Sequence, residues 1–263
     1  GRAVRMSDKR ARVEGDVASP TTVAVTAPPH EGWKPGEKQP LPFEGGFVEL
    51  IPSDLKSCYP LMISAYVPRP IAFVSTVSAS GKGNLAPFSY SGCVAHDPPT
   101  IAVSICRNGR AADGKKDTLA NIDDTGEFVV CIMSEWFVEA ANHTCGSFER
   151  GVDEFDESGL TRLPSSIVKP PRVGESAVHF ECKLSQRHEI INKAGVTTAT
   201  VVFGEVVKVW AAKGVCDENG AGEGKPTIKF DNYRALARLG GNTYGRVTST
   251  FDLDRPDRDV RTT

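Results

Sequence analysis

Residues 75–92 read STVSASGKGNLAPFSYSG, and this stretch decides the fold. A strand-like segment is followed by a glycine-rich turn and then by a short apolar run that contains Pro87. A core strand rarely accepts proline, because proline lacks the N–H group that the hydrogen-bond ladder needs. A surface loop rarely holds so many apolar residues together. The stretch therefore predicts a strand and a turn, followed by a segment that faces a ligand where strand pairing ends at Pro87.

The glycines of this stretch allow two interpretations. Residues 81–86 formally match G-x-G-x-x-A, a dinucleotide-binding fingerprint, and they follow a strand. A long amphipathic helix should then begin here, but Pro87 and Gly92 argue against one. A hairpin turn over residues 79–83, between two strands, is the favoured interpretation.

Further strand-like segments surround this hairpin. Their Val, Ile, Thr and Phe content predicts strands at residues 47–51, 71–78, 100–106, 128–133, 179–184, 197–210 and 226–230. Gly204 is a natural place for the longest of them to bend. Because strands dominate and do not alternate regularly with helices, the sequence predicts a mainly β fold, an antiparallel barrel with a few short helices at its corners.

Two short helices are predicted. The first covers residues 118–125, with Thr118 as a possible N-cap and Gly126 as its stop. The second covers residues 135–144 and follows Ser134.

Composition limits the class of protein. With 263 residues, of which 40% are hydrophobic and 24% charged, the chain suits one large domain or two small ones. A formal charge of -2 makes nucleic acid a poor partner, and no stretch approaches the roughly 18 apolar residues of a membrane span. The seven cysteines form no C-x-x-C pair. We therefore expect a soluble cytoplasmic protein that binds small molecules.

Protein-borne catalytic groups are hard to find in the sequence. The five histidines show no metal-ligand spacing, so no metal site is expected. A Gly-x-Ser-x-Gly nucleophile motif is absent, and the acidic run at residues 149–157 is typical of a solvated surface. An enzyme of this kind would need a cofactor that carries the chemistry.

Two stretches suit an anionic cofactor. Residues 115–118, Lys-Lys-Asp-Thr, stand at the start of a predicted helix, where free N–H groups and the helix dipole favour phosphate. An ordinary helix cap beside solvated lysines is the alternative there. After the hairpin, Asn84, Ser89 and Ser91 accompany a proline-stiffened apolar segment, which suits the wall and polar edge of a site for a flat heteroaromatic ring.

Three sequence blocks follow one another along the chain. The first is Pro-Arg-Pro-Ile-Ala at 68–72, leading into Ser-Thr-Val at 75–77. The second is Asn-Leu-Ala-Pro-Phe-Ser at 84–89, followed by Ser104. The third is Lys-Asp-Thr at 116–118 with Asn121. Taken in order, these blocks resemble the flavin-reductase-like FMN-binding split-barrel family, and the similarity extends to Tyr244. It covers residues 46–245, which leaves a Pro-rich N-terminal arm at 1–45 and a C-terminal tail at 246–263. The prolines of the arm exclude regular helix and sheet.

The resemblance implies a six-stranded Greek-key split β-barrel that forms a homodimer and holds FMN without a covalent bond. It implies cofactor contacts for Arg69, Ser75, Thr76, Asn84, Leu85, Ala86, Pro87, Phe88, Ser89, Ser104, Arg107, Lys116, Asp117, Thr118, Arg238 and Tyr244. Within this set Ser75, Thr76 and residues 84–89 would line the isoalloxazine. Lys116 and Thr118 would hold the phosphate.

The remaining roles are less specific. Ser104 or Arg107 would assist at the phosphate, and Arg238 and Tyr244 would close the pocket. For Arg69 both a cofactor contact and a structural pairing stay open. Family members often carry an aromatic residue at the position of Ser91. Which residue covers the exposed face of the flavin in this chain is therefore a further open question.

The activity implied by the resemblance is that of an NAD(P)H-dependent flavin reductase-like oxidoreductase. Reduced flavin would pass electrons to free flavin, oxygen or an organic acceptor, and no side chain is assigned as catalytic because flavin N5 carries the chemistry. Two alternatives remain open at this point: a flavin-binding or storage module without turnover, and an enzyme similar to pyridoxamine-phosphate oxidase on a related barrel.

Overall fold

Strands make up most of the regular structure in the computed structural model, which describes residues 23–217 and 226–254. The strands are β1 (Ala24–Val25), β2 (Arg69–Pro70), β3 (Ala72–Val77), β4 (Gly83–Phe88), β5 (Ser91–His96), β6 (Pro99–Cys106), β7 (Glu127–Ile132), β8 (Arg162–Leu163), β9 (Arg172–Val173), β10 (Val178–Ile191), β11 (Thr197–Ala211), β12 (Cys216–Asp217), β13 (Thr227–Ile228), β14 (Leu236–Arg238), β15 (Tyr244–Arg246) and β16 (Ser249–Thr250). The helices are α1 (Tyr59–Ala65), α2 (Asp117–Thr125), α3 (Val138–His143), α4 (Glu154–Ser158) and α5 (Phe230–Tyr233), with 3₁₀ turns at Pro52–Asp54 and Glu135–Phe137.

One large antiparallel sheet organises the fold. Among the described residues it contains seven strands in the order β4-β3-β7-β10-β11-β6-β5, and each neighbouring pair is antiparallel. The predicted mainly β architecture is therefore confirmed. The sheet has one strand more than the six that the resemblance implies.

Most of the predicted strands are present, but the first is wrong. Residues 47–51 form no strand, and the Phe47 side chain is 100% exposed. Strand preference depends on packing against a neighbouring strand, and within the described part of the chain this segment has none. The predicted strand at 226–230 shrinks to the two residues of β13, because Phe230 already begins α5.

The two predicted helices are confirmed in position, with a correction at one cap. Gly126 ends α2 in the left-handed conformation, with φ of 69°, as glycine at this position commonly does. Thr118 is not the N-cap: Lys116 occupies that place without a side-chain cap bond. Thr118 instead lies within the first turn of α2. The second helix consists of the Glu135–Phe137 turn continued by α3.

The hairpin interpretation of the opening stretch is confirmed. The Ser78 N–H donates to the Lys82 carbonyl at 2.9 Å, and Gly81 has a φ of 83°, which suits glycine in a tight turn. A strand and not a helix follows, so the formal dinucleotide fingerprint has no structural counterpart.

Pro87 does not end strand pairing, contrary to expectation. It lies inside β4, in register with Phe73 of β3, and β4 is an edge strand. Successive N–H groups of a strand point to opposite edges, and those of Gly83 and Leu85 point away from β3. Position 87 shares this direction, so a missing N–H group costs the ladder nothing.

Two apolar clusters cover the two faces of this part of the sheet. Phe73 and Leu85 belong to one, together with residues of α3 and α4. Val74 and Phe128 belong to the other, together with residues of α2. Gly204 lies where β11 crosses Phe128, and a Cβ atom there would stand 2.3 Å from Phe128 Cζ. This close approach explains why glycine occupies the middle of the longest strand.

The N-terminal arm takes part in one short piece of sheet. β1, within the predicted arm, pairs in parallel with β16, although the prolines of the arm argued against sheet. Residues 1–22 lie outside the described residues, as do 218–225 and 255–263. Within the described ranges, every helix falls short of the length and apolar content that a membrane span requires.

Candidate functional site

The second and third sequence blocks meet where β4 lies beside the start of α2. Asn84 Nδ2 donates to Thr118 Oγ1 at 2.9 Å, and Asn121 Nδ2 donates to Thr76 Oγ1 at 3.0 Å. All four side chains are buried. Buried polar groups of this kind are stable only when paired, so the two bonds fix α2 against the hairpin.

A small cavity of about 170 Å³ opens at this junction. It is lined by Asn84, Ala86, Pro87, Asn108, Lys116, Asp117, Thr118, Thr144, Cys145, Gly146, Ser147, Phe148 and Glu154. The structure thus brings together the Asn-Leu-Ala-Pro and Lys-Asp-Thr blocks, as the sequence predicts. Residues 144–148 were not predicted, since a short polar loop carries no recognisable motif.

Lys116 gives the small cavity a cation without a counter-charge. Its Nζ lies 5.6 Å from the centre of the Phe88 ring, and none of the ion pairs in the described ranges involves it. Lys115, by contrast, pairs with Asp123 at 2.6 Å, and Asp117 pairs with Arg150 at 3.1 Å. A cavity with hydroxyl and amide donors and one unpaired ammonium group suits an anion such as phosphate. The residues present therefore fit the phosphate end of a cofactor.

Two carboxyl groups close the outer edge of β4. Asp153 Oδ2 accepts the Gly83 N–H at 3.0 Å, and Glu154 Oε2 accepts the Leu85 N–H at 2.6 Å. The predicted solvated surface is therefore wrong for this part of the acidic run. Phe155, which is fully buried, was the available signal that the segment packs against the sheet.

Glu154 is the most perturbed of these acids. It is 7% exposed, and burial, opposed by the Leu85 N–H, raises its pKa from the ordinary 4.5 to about 8. Desolvation favours the neutral form of a carboxyl group. Glu154 thus holds a proton at neutral pH.

A large groove of about 790 Å³ lies elsewhere on the sheet, beside β5 and β6. Its lining comprises residues 65–70 and 89–92 together with Val94, Ala102, Ser104 and Val201. Arg69, Ser89 and Ser104 of the predicted site are here and not in the small cavity. Ser91 also lines the groove, and its hydroxyl donates to the Phe88 carbonyl at 3.0 Å.

Arg69 is 3% exposed, and its guanidinium is engaged within the protein. It donates to the carbonyls of Tyr66 at 2.8 Å and Leu239 at 2.7 Å, and also to the Ile63 carbonyl. Its Nε donates to Ser89 Oγ at 3.3 Å. Of the two roles left open by the sequence, these bonds match the structural pairing.

Several predicted residues lie outside both cavities. The side chains of Leu85 and Phe88 belong to the two apolar clusters. Ser75 Oγ is buried and has no hydrogen-bond partner among the described residues. Arg107 donates to Glu189 at 3.0 Å and lines neither cavity.

The two C-terminal residues of the predicted site contact each other. The Arg238 guanidinium lies 4.4 Å from the centre of the Tyr244 ring, and the Tyr244 hydroxyl donates to Asn142 Oδ1 at 2.8 Å. The positive charge of Arg238 also acts on Cys145 of the small cavity, although burial is the larger effect and raises the pKa of that thiol. The pair is therefore near the small cavity without lining it.

Comparisons with known proteins match this architecture. A family model described as "Flavin reductase like domain" matches residues 64–229. An uncharacterized protein of Halalkalibacterium halodurans is 39% identical over 202 residues, which are 76% of this chain and 92% of that protein.

Solved structures show the same fold. Nitrilotriacetate monooxygenase component B from Bacillus cereus superposes with a TM-score of 0.72 and 29% identity, over 80% of this chain and all of that one. A protein of Shewanella frigidimarina with a split barrel domain superposes with a TM-score of 0.61 and 22% identity, over 75% of this chain and 89% of that one. The likeness to the second protein supports the fold alone, and it identifies the predicted split barrel.

Proposed function

Because the chain belongs to the flavin reductase-like family, we propose that it is an FMN-dependent oxidoreductase with NADH or NADPH as its electron donor. The reduced flavin serves free flavin, oxygen or an organic acceptor. The single observation that carries the proposal is the small cavity, which combines the unpaired Lys116 with the Asn84–Thr118 pair beside the start of α2.

Different residues of the small cavity contact different parts of FMN in this proposal. Lys116 and Thr118 bind the phosphate, because an ammonium group and a hydroxyl are suitable donors to its oxygens. Ala86 and Pro87 supply a stiff apolar wall that excludes water. The flavin, when bound, supplies the capacity to accept and release electrons, which no side chain provides.

A monooxygenase system is one setting for this activity. The Bacillus cereus neighbour is component B of nitrilotriacetate monooxygenase. Its likeness to this chain supports the proposal that reduced flavin is delivered to a separate acceptor. The cytoplasm, which supplies NAD(P)H, is the proposed compartment, and the free state of all seven cysteines suits a reducing environment.

A homodimer completes the proposal. The large groove is bordered by apolar side chains that are open to solvent, among them Tyr66 at 74% and Val94 at 55% exposure. Exposed apolar patches of this kind mark interaction surfaces, and a second copy of the chain is the proposed partner. Light scattering should give twice the mass of the chain, whereas a monomer mass would contradict this part of the proposal.

The test of cofactor binding compares two adjacent lysines. FMN titration, followed by fluorescence quenching, should show binding that Lys116→Ala weakens by about tenfold or more, as loss of a charge-assisted contact predicts. Lys115→Ala is the matched control, because Lys115 is paired with Asp123, and it should leave the affinity within about twofold. Absence of FMN binding by the wild-type protein would refute the proposal.

Turnover requires a separate experiment. Stopped-flow mixing of the FMN-loaded protein with NADH and with NADPH should bleach the flavin absorbance for at least one donor. A flavin that stays oxidised with both would favour the storage module. Oxidation of pyridoxamine phosphate would instead favour the pyridoxamine-phosphate-oxidase-like alternative.

A further inference from the structure

Glu154 is a buried acid in the wall of the small cavity that no step of the proposed function uses. One of its oxygens, Oε2, is held by the Leu85 N–H at 2.6 Å. No Lys, Arg or His of the described residues forms an ion pair with it. An ionised carboxylate buried without a cation is costly, so the geometry alone favours the neutral acid.

The charged neighbours of Glu154 reinforce this state. Asp153, the N-cap of α4, directly precedes it, and Asp117 faces it from the start of α2. Both carboxylates raise its pKa, after burial as the larger cause. Lys116 and Cys145 also line the cavity, whereas β4 contributes only neutral side chains. An ionised Glu154 would also raise the pKa of the Cys145 thiol.

We propose that Glu154 is a proton-dependent gate of the small cavity: the protonated acid admits a phosphate dianion, and the ionised carboxylate repels it. The proposal rests on the proposed function, because it assumes that the phosphate of FMN is held by Lys116 in this cavity. It assigns a regulatory role to a residue outside the three sequence blocks.

Linkage fixes the sign of the effect. A dianion near Glu154 favours the neutral acid, so binding raises the pH at which Glu154 ionises, and ionisation in turn weakens binding. The affinity for FMN therefore falls as the pH rises through the range in which Glu154 loses its proton. A coupling of one pH unit corresponds to about a tenfold change in affinity.

The experiment measures the dissociation constant of FMN between pH 7 and pH 9.5 by fluorescence quenching. The phosphate of FMN is a dianion throughout, because its second pKa is about 6. Wild-type protein should lose about tenfold in affinity over this range, whereas Glu154→Gln should stay within about twofold because the amide cannot ionise. Glu157→Gln is the matched control: Glu157 is an exposed acid of the same helix, so this variant should behave like the wild type.

Riboflavin provides a second arm, because it lacks the phosphate. Its affinity should change little with pH in all three proteins, and an equal pH dependence for riboflavin and FMN would overturn the proposal. Equal pH dependence of FMN binding in the wild type and Glu154→Gln would also overturn it, while leaving FMN binding itself intact. Absence of FMN binding at every pH would instead refute the proposed function.

A direct titration covers the case in which Glu154→Gln does not fold. The side-chain carboxyl ¹³C resonance of Glu154 in the wild-type protein should titrate above pH 7, and its midpoint should rise when FMN is added. A midpoint near the ordinary 4.5, or one that FMN leaves unchanged, would contradict the gate.

Discussion

The two edges of the seven-stranded sheet are built in opposite ways. At the closed edge, β4, the outward N–H groups of Gly83 and Leu85 donate to the carboxyl groups of Asp153 and Glu154. Pro87 has no N–H group. At the open edge, β5 (Ser91–His96) pairs with no further strand among the described residues, and Val94 is exposed.

The difference shows how one sheet can serve two purposes. An uncovered edge strand is a template for pairing with another chain. Side chains and a proline remove this capacity at β4 and turn that edge into the wall of the small cavity. The open edge, beside the large groove, keeps the surface on which the proposed second copy would dock.

The largest expected effect comes from removing the side chain that anchors the closed edge. Phe155 of α4 is fully buried, so Phe155→Ala should lower the free energy of unfolding by about 3–5 kcal/mol, as for other buried aromatic residues. Val94→Ala is the matched change at the open edge and should cost less than about 0.5 kcal/mol in the monomer. Chemical denaturation measures the loss of unfolding free energy in each variant. Similar losses would show that the closed edge is packed no better than the open edge.

A smaller effect is expected from adding one carbon atom to each edge. A Cβ atom at Gly83 would lie 2.9 Å from Phe155 Cδ2 and 3.1 Å from Asp153 Oδ1, whereas one at Gly92 would meet nothing within 4 Å. Gly83→Ala should therefore cost about 1–3 kcal/mol through overpacking. Gly92→Ala should be neutral to within about 0.5 kcal/mol. Thermal melts of the two variants would contradict this contrast if they coincided.

The smallest effect is the pH dependence that the closed edge imposes on stability. The pKa of Glu154 is raised in the folded protein from 4.5 to about 8, so the unfolded chain ionises first and stability falls as the pH rises between these values. From pH 7 to pH 8 the loss attributable to this group is about 1 kcal/mol. Chemical denaturation of the wild type and of Glu154→Gln at both pH values should show this fall in the free energy of unfolding in the wild type only. An equal fall in both proteins would argue against a buried neutral acid.

The features that the sequence predicts correctly are those fixed by local chemistry. Gly81 supplies the turn conformation, and Gly126 supplies the helix stop, so the hairpin and α2 follow from single residues and their neighbours. The meeting of Asn84 with Thr118 was also predictable, because the family resemblance covers both blocks.

Features that depend on a distant partner were not predictable. Residues 47–51 carry a strand pattern, but such a pattern does not state whether a neighbouring strand exists. The sequence pattern of the acidic run at 149–157 does not distinguish a solvated segment from one that packs on a sheet. Only the fold places Glu154 against the Leu85 N–H, so its position in the wall of the small cavity could not be predicted.

Arg69 has a consequence for the order in which the large groove is assembled. Its guanidinium joins the Tyr66 carbonyl, three positions away, to the Leu239 carbonyl, 170 positions away. Closing so long a loop carries an entropic cost that local contacts do not. During synthesis the N-terminal part of a chain emerges first, so Arg69 leaves the ribosome well before the Leu239 carbonyl with which it pairs. The hydrogen bonds around Arg69 in the wall of the large groove are thus complete only after residue 239 has joined the fold.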